Sequence, residues 1–488
     1  MDLDARDSRD EGYLSPFWHC VRLSQDALQR LERDDDDVNE YFDGFDFIGA
    51  RDWIEGAGRI IGSTKRLKAI ELWFADRGTG TDGQYTWIHE LCEGLSRNRT
   101  IEKLYIDEAN LDCILGLTPF FVHNDNLRCL EVSQASPHEM DALLKILSKC
   151  KSGLEFIKIG SKMSDSQQVI FFNSLSEMHS SLLELWIGNR RFGKKGIVAL
   201  ANLLMNPACK IRLLQVDSGI SYYDNDSVLS DAMIGNSSMN SLHLTGSPRA
   251  PYLSSILSHQ MCSIENIWLV DCGFDDDDII CLGGALADNR SLKHLYVESD
   301  SVTAEGWRGF SVCFATPLAL NILDIENTEI DEDGAMAIVA ALISVNILSM
   351  ERLLIGNESN SKVRESLSRV LCDNSSIDNT FLSCHTLHTI QYGYQHEPPD
   401  DCEHYLQLNM NKNKVEVARQ KIVEQHFSGS KLDSNVHVFA RMPVSVLPTA
   451  VEWVGRDNLG YSLMFCCVQS IPALLEQLPE PGVKRRKR

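Results

Sequence analysis

Residues 182–204 read LLELWIGNRRFGKKGIVALANLL, and two different periods meet inside that stretch. Leu182, Leu185 and Ile187 follow the spacing apolar-x-x-apolar-x-apolar, whose closing alternation suits a short strand with one face in a core. From Gly196 onward, Ile197, Ala199, Leu200, Leu203 and Leu204 recur at helical spacing. The stretch is strand, loop, helix.

The strand pattern recurs along the chain. It stands at Leu67-Ile70-Leu72, Ile101-Leu104-Ile106, Leu127-Leu130-Val132 and Leu154-Ile157-Ile159 before Leu182. After it come Ile211-Leu214-Val216, Met239-Leu242-Leu244, Ile264-Ile267-Leu269, Leu292-Leu295-Val297, Leu320-Leu323-Ile325 and Met350-Leu353-Ile355. A twelfth unit is read at Ile377, with Thr380 at its second apolar position and Phe381 at its fifth position. The starts are spaced by about 28 residues, inside the roughly 20 to 29 of leucine-rich repeats. Helical spacing returns between them, as at Ala335, Ile338, Val339 and Leu342. One such unit cannot cover its apolar face, whereas stacked units join their strands into a parallel sheet over one continuous core. Helices are wider than the strand spacing, so strands are expected on the concave side and helices on the convex side.

The unit length, the strand pattern and helices of the type Gly196-x-x-x-Leu200-x-x-Leu203 resemble the ribonuclease-inhibitor-like class of leucine-rich repeats over roughly Leu67 to Ile390. Cys272 and Phe274 complete that class's consensus after the Ile264 strand, and Thr328 and Ile330 nearly do so after Leu320, while most units lack the Asn or Cys that ladders the loops. The resemblance implies an α/β fold, a right-handed leucine-rich-repeat solenoid (horseshoe) of about 12 units. The expected division is an acidic amino-terminal segment and cap at 1–66, the solenoid at 67–391, a linker at 392–402 holding Pro398 and Pro399, a helical cap at 403–475 and a basic disordered tail at 476–488. In the cap Val415, Ala418, Ile422 and Val423 are expected on one helix face, with a second apolar segment at Leu459 to Val468. Leu408 to Phe427, with Trp453 to Asn458, is similar to the tails of uncharacterised algal leucine-rich-repeat proteins.

Composition narrows the function. With 43% hydrophobic and 24% charged residues the chain is too apolar for disorder, and no run reaches the roughly 18 apolar residues that span a bilayer. The amino terminus carries four aspartates within Met1 to Asp10, the opposite of a secretory signal, so a cytoplasmic protein with reduced cysteines is expected. Asn98-Arg99-Thr100 and Asn236-Ser237-Ser238, among others, match the glycosylation sequon and carry no meaning in such a protein. Lys484 to Arg488 reads either as a nuclear-import tag or as a solubilising tail. A net charge of −23 argues against nucleic acid, which needs a basic stripe, and for a basic protein partner.

Several motifs imitate chemistry. Gly188 to Lys195 is one residue from a phosphate-binding loop, but Lys195 stands where a magnesium-holding hydroxyl is needed. Asp275 to Asp278 and Asp331 to Gly334 resemble pieces of calcium loops, yet each precedes an apolar helix and is expected to cap it. Cys384, His385, His388, His396, Cys402 and His404 crowd together in a spacing that fits no familiar zinc framework. No catalytic, cofactor-binding or metal-ligating set is assigned, and neither an enzyme nor a cofactor is expected.

The candidate site is the outward side of the strands. Fifth positions alternate with the core residues and read Glu71, Tyr105, Glu131, Lys158, Trp186, Gln215, His243, Trp268, Tyr296, Asp324, Leu354 and Phe381. The seventh and eighth positions add Asp107, Glu108, Asp217, Asp271, Glu298 and Glu326, so that with Glu71, Glu131 and Asp324 the strand ends hold nine carboxylates against Lys158 alone. The expected partner-binding set is Tyr105, Trp186, Trp268 and Tyr296 as aromatic anchors, with Glu131, Asp217, Asp271, Glu298, Asp324 and Glu326 to steer a basic protein in. The opposing reading is a solvated face whose aromatics shield the core. A scaffold or inhibitor is the first functional expectation, as the resemblance implies. The second is a GTPase-activating regulator like that of the Ran GTPase, which resembles this chain in its repeats and is expected to end in an acidic tail rather than a basic one.

Overall fold

Alternating apolar residues give a strand one dry face, and the eleven intact patterns each end on a strand. The structure, a computed structural model, describes residues 20–22, 29, 31–33, 44–48 and 56–427, with interruptions at 66, 74–85, 108–110, 151, 178–180, 189–191, 218–225, 247–249, 300, 317, 327, 329, 345–348, 357–360, 393–399 and 412. The acidic run Asp34 to Asp37, Glu108, His396, Pro398 and Pro399, the segment Leu459 to Val468, Trp453 to Asn458 and the basic tail therefore lie outside the described residues. No helix among the described residues is long and apolar enough to cross a membrane.

The chain forms two compact units, Met1–Cys272 and Gly273–Arg488. In the first, ten strands lie parallel in chain order: β1 (Cys20–Arg22), β2 (Gly44–Ile48), β3 (Ala69–Trp73), β4 (Lys103–Asp107), β5 (Cys129–Val132), β6 (Phe156–Ile159), β7 (Glu184–Ile187), β8 (Leu213–Asp217), β9 (Ser241–Thr245) and β10 (Asn266–Val270). The second holds β11 (His294–Val297), β12 (Ile322–Ile325), β13 (Arg352–Ile355) and β14 (Thr389–Tyr392), also parallel and in order. Parallel neighbours need a crossover, and helices such as Lys194–Met205 and Glu332–Ser344 supply it. Apart from half-buried Leu182, every apolar residue of the eleven patterns is buried. The sheet of the first unit begins before the first pattern, because β1 and β2 precede Leu67 and continue the same parallel pairing.

The twelfth unit is not where the sequence reading put it. Ile377–Leu382 is a helix, opened by Ser376, whose hydroxyl accepts from the Asn379 N–H. Phe381 therefore does not stand in the strand row. The strand is β14, led by buried Leu387, and Gln391 lies opposite Leu354. Thr380 is buried because its hydroxyl donates to the Asp373 carbonyl at 2.8 Å, a polar link that an apolar strand position has no use for.

Two local devices hold the first unit together. Helices Ala57–Ser63 and Thr86–Arg97 touch backbone to backbone: a Cβ on Gly94 would fall on the carbonyl of Gly58, and one on Gly58 would fall on that of Glu90. The second device is a buried asparagine three residues before the first apolar position, at Asn98, Asn124 and Asn236, and again in the second unit at Asn289. Asn236 donates from Nδ2 to the Leu204 carbonyl at 2.7 Å, while its Oδ1 accepts from the N–H groups of Ser238 and Met239, both at 2.8 Å. Asn98 does the same between the Ile61 carbonyl and the N–H groups of Thr100 and Ile101. Thr100 and Ser238 add hydroxyl bonds to the carbonyls of Leu67 and Cys209. The sequons at Asn98 and Asn236 are thus turn clamps in which both sides of the amide are in use.

At the carboxyl end Asp400–Asn409 and Lys414–Ile422 are helices. Val417, Ala418 and Ile422 face inward there, whereas Val415 is 63% exposed, so the buried face is turned from the one expected. Lys421 is fully buried on the same face and donates to the carbonyls of Leu371 and Cys384 at 2.7 and 3.0 Å. Burial draws its ammonium pKa down to about 8.

Candidate functional site

Parallel repeats put the same position of each unit side by side, so the fifth positions form a row. In the first unit Glu71, Tyr105, Glu131, Lys158, Trp186, Gln215, His243 and Trp268 are successive register partners from β3 to β10. In the second unit Tyr296, Asp324, Leu354 and Gln391 follow one another from β11 to β14. Third positions share the outward face, and the sequence reading passed over them. They form a second row containing Lys103, Cys129, Phe156 and Glu184 in one unit, and His294, Ile322 and Arg352 in the other. Lys158 is therefore not the sole cation of these faces. The strand alternation itself held that signal, two residues ahead of each fifth position.

Side-chain contacts organise the first row. The Glu131 carboxylate is 2.5 Å from Lys158 Nζ, which stands 5.3 Å from the centre of the Trp186 ring. Phe156 meets Trp186 edge-on, with centroids 5.3 Å apart. Tyr105 and Phe156 also pack over buried Ala69 and Cys129, while His243 and Trp268 lie against each other at 3.9 Å between ring centres. The Tyr105 hydroxyl pairs with Ser133 Oγ at 2.9 Å. At the strand ends Gln215 donates to Asp217 at 3.1 Å. Asp271 is exposed and takes a left-handed φ of 49°, a conformation that Asp tolerates better than most residues.

Burial dominates the electrostatics of this face. It raises the Glu131 carboxyl above its ordinary range, an effect that the nearby Lys158 opposes only in part. Glu184 is raised by the same cause. Burial lifts the Tyr105 hydroxyl to about 12, helped by Asp107, Glu131 and Glu71 and opposed by Ser133. The Cys129 thiol also rises to about 12, so it is no nucleophile at neutral pH.

In the second unit the Tyr296 hydroxyl donates to Glu298 at 2.7 Å, and the Glu326 N–H donates to Asp324 at 3.1 Å. Leu354 is buried, so it offers no contact surface. Burial raises the Asp324 carboxyl to about 6 against the bond from the Glu326 N–H and the charge of Arg352, with the Glu326 carboxylate adding to the rise. The folded protein thus holds this proton more tightly than the unfolded chain. The cost of the charge is fully present above pH 6 and fades as pH falls toward the ordinary 3.8. Asp324→Asn is expected to raise stability in urea at pH 7.5 by about 1–3 kcal/mol, and the gain should shrink toward zero near pH 4. A gain that is independent of pH would contradict the charge argument.

The imitation motifs resolve into caps. Asp275 opens helix Asp276–Asp288 with a reciprocal bond to Asp278. Asp276 reaches the next helix and accepts from the N–H and hydroxyl of Thr303 at 2.7 and 2.6 Å. Asp331 accepts from the Gly334 N–H at 2.7 Å. At the start of helix Lys194–Met205 the Gly196 N–H is taken by Asp165 and the Gly193 N–H by Gln168, so a carboxylate sits where a phosphate would need to be. Cys384, His385, His388, Cys402 and His404 bond to Thr386, Phe381, Thr389, Ser368 and Glu424 respectively, and no group of three or more metal-ligating side chains converges among the described residues.

No family model matches the chain. It is 25% identical over 250 residues to mouse NACHT, LRR and PYD domains-containing protein 12, which covers 49% of this chain and 23% of that one. It is 23% identical over 331 residues to mouse ribonuclease inhibitor, covering 65% of this chain and 72% of that one. Among solved structures, a chain from the crystal structure of the Rad7 and Elc1 complex in yeast aligns with a TM-score of 0.36 and 11% identity over 77% of this chain and 87% of that one. The strand-and-helix unit, the parallel strands in chain order and the two curated relatives together identify the chain as a ribonuclease-inhibitor-like leucine-rich-repeat protein.

Proposed function

We propose that this chain is a protein-interaction scaffold or inhibitor that takes a basic protein surface on the outward face of its strands. The observation that carries the reading is the in-register row from Glu71 to Trp268, which sets Tyr105, Trp186 and Trp268 beside Glu71 and Glu131 on an ordered surface. Trp and Tyr bury large area at little entropic cost and dominate interface hot spots. Asp107, Asp217 and Asp271 at the strand ends, on a chain of net charge −23, favour approach by a basic partner. Carboxylates held above their ordinary pKa at Glu131, Glu184 and Asp324 cost stability, which a merely solvated face has no reason to accept. The similarity to a protein named ribonuclease inhibitor supports binding, rather than catalysis, as the role of the repeats.

The test is affinity capture with the intact protein and with a Trp186→Ala, Trp268→Ala, Tyr296→Ala variant whose melting curve is unchanged. The partner is expected to be lost with the aromatics, and to bind the intact protein at least tenfold more weakly as salt rises from about 0.05 to 0.3 M. A folded variant that keeps every partner removes the strand face from consideration. Stimulated GTP hydrolysis by a captured GTPase would replace the scaffold reading with the regulatory one.

A further inference from the structure

We infer that Lys158 is an internal stand-in for an arginine of the partner, and that Glu131 and Trp186 form the pocket it fills. The inference rests on the proposed binding of a basic protein by this face and names the side chain that is recognised. Glu131 is a carboxylate with only 2% of its surface exposed, on a strand position that faces away from the core. One of its oxygens lies 2.5 Å from Lys158 Nζ. The other, Oε2, is buried and has no hydrogen-bond donor among the described residues. The Tyr105 hydroxyl is tied to Ser133.

An ammonium is a point donor, and here it serves one oxygen. A guanidinium presents two parallel N–H groups that match both oxygens of a carboxylate, and its flat face stacks on an indole. Both receptors are already paired around one cation, since Lys158 Nζ stands 5.3 Å from the Trp186 ring centre while Phe156 buttresses that ring from its edge. Lys158 is also the movable member. Its side chain is 30% exposed against 3% for Glu131, so it can swing outward and leave the carboxylate open beneath it. An incoming arginine then takes the vacated space, satisfies Oε2 as well as its neighbour, and lies against Trp186. In the free protein, Lys158 keeps a buried charge compensated and weakens the binding of any ligand that must displace it.

Fluorescence anisotropy with a labelled peptide of four arginines spaced by glycines, its lysine counterpart and its glutamate counterpart tests this. Lys158→Met should bind the arginine peptide at least tenfold tighter than the intact protein does, and the lysine peptide less than threefold tighter. Lys103→Met removes a cation from the neighbouring row and should gain less than threefold with either, which isolates the general charge effect. Adding Glu131→Gln to Lys158→Met should abolish the gain. If Lys158→Met does not fold, Lys158→Gln leaves an amide donor against Glu131 and should show the same order of preferences. Equal gains for arginine and lysine, or for Lys158→Met and Lys103→Met, overturn the pocket while leaving the basic-partner reading in place. Failure of the intact protein and every variant to prefer basic over acidic peptide overturns both.

Discussion

Gly94→Ala is expected to destabilise the first unit by about 3 kcal/mol or more, although helix propensity alone would make it stabilising by about 1 kcal/mol. The two effects have opposite signs, so the experiment decides between them. Gly94 lies inside helix Thr86–Arg97, where a glycine is ordinarily a weakness. Its missing side chain is what allows the backbone of Ala57–Ser63 to come so near, and an added methyl would meet the Gly58 carbonyl, which cannot rotate aside as a side chain can. Separation of the helices would uncover Ile60, Ile61, Leu91 and Leu95, all buried. Urea unfolding followed by far-ultraviolet circular dichroism should show the transition at markedly lower denaturant. A midpoint that rises would mean that the helices do not approach as described.

Trp307→Ala should cost the second unit about 3–5 kcal/mol. Trp307 is fully buried, meets Phe310 edge-on with ring centres 5.8 Å apart, and Phe310 in turn meets Phe314 at 6.0 Å. Alanine would leave a cavity walled by rings fixed in helix Ala304–Phe310 and the turn that follows, so little collapse can refill it. Trp307→Phe is expected to cost only about 1 kcal/mol. The indole Nε1 is buried without an acceptor among the described residues, and phenylalanine removes that unmet donor together with the lost volume. Equal costs for the two substitutions in chemical denaturation would show that ring packing is not what Trp307 contributes.

Much of this architecture is legible in the sequence, because a repeat of about 28 residues leaves few ways to bury its alternating apolar positions. The fifth positions fell into register from Glu71 to Trp268 without a slip, since an error of one residue would have turned Leu104 or Ile267 out of the core. The last unit failed for a local reason: Ser376 starts a helix across a stretch that only partly imitates a strand. Val417 rather than Val415 faces inward because the tertiary docking of helix Lys414–Ile422, with Lys421 seated on carbonyl oxygens, sets its rotation. The pairing of Glu131 with Lys158 was implicit in the repeat, as equal positions of adjacent units are neighbours. The depth at which Glu131 is buried was not, because it depends on how Tyr105, Phe156 and Trp186 fold over the strands, and no periodicity encodes that.

The asparagine clamps bear on how this protein can be made. At Asn98 and Asn236 the Nδ2 nitrogen to which an oligosaccharide would attach is the atom that bonds a buried carbonyl, and both residues are almost wholly enclosed. A sugar on either nitrogen and a closed turn exclude each other. Secretory-pathway expression should therefore divide the product into chains bare at both asparagines, which fold, and chains with a glycan on either, which cannot, and the share of the second would measure how often the modifying enzyme outpaces closure of the turn.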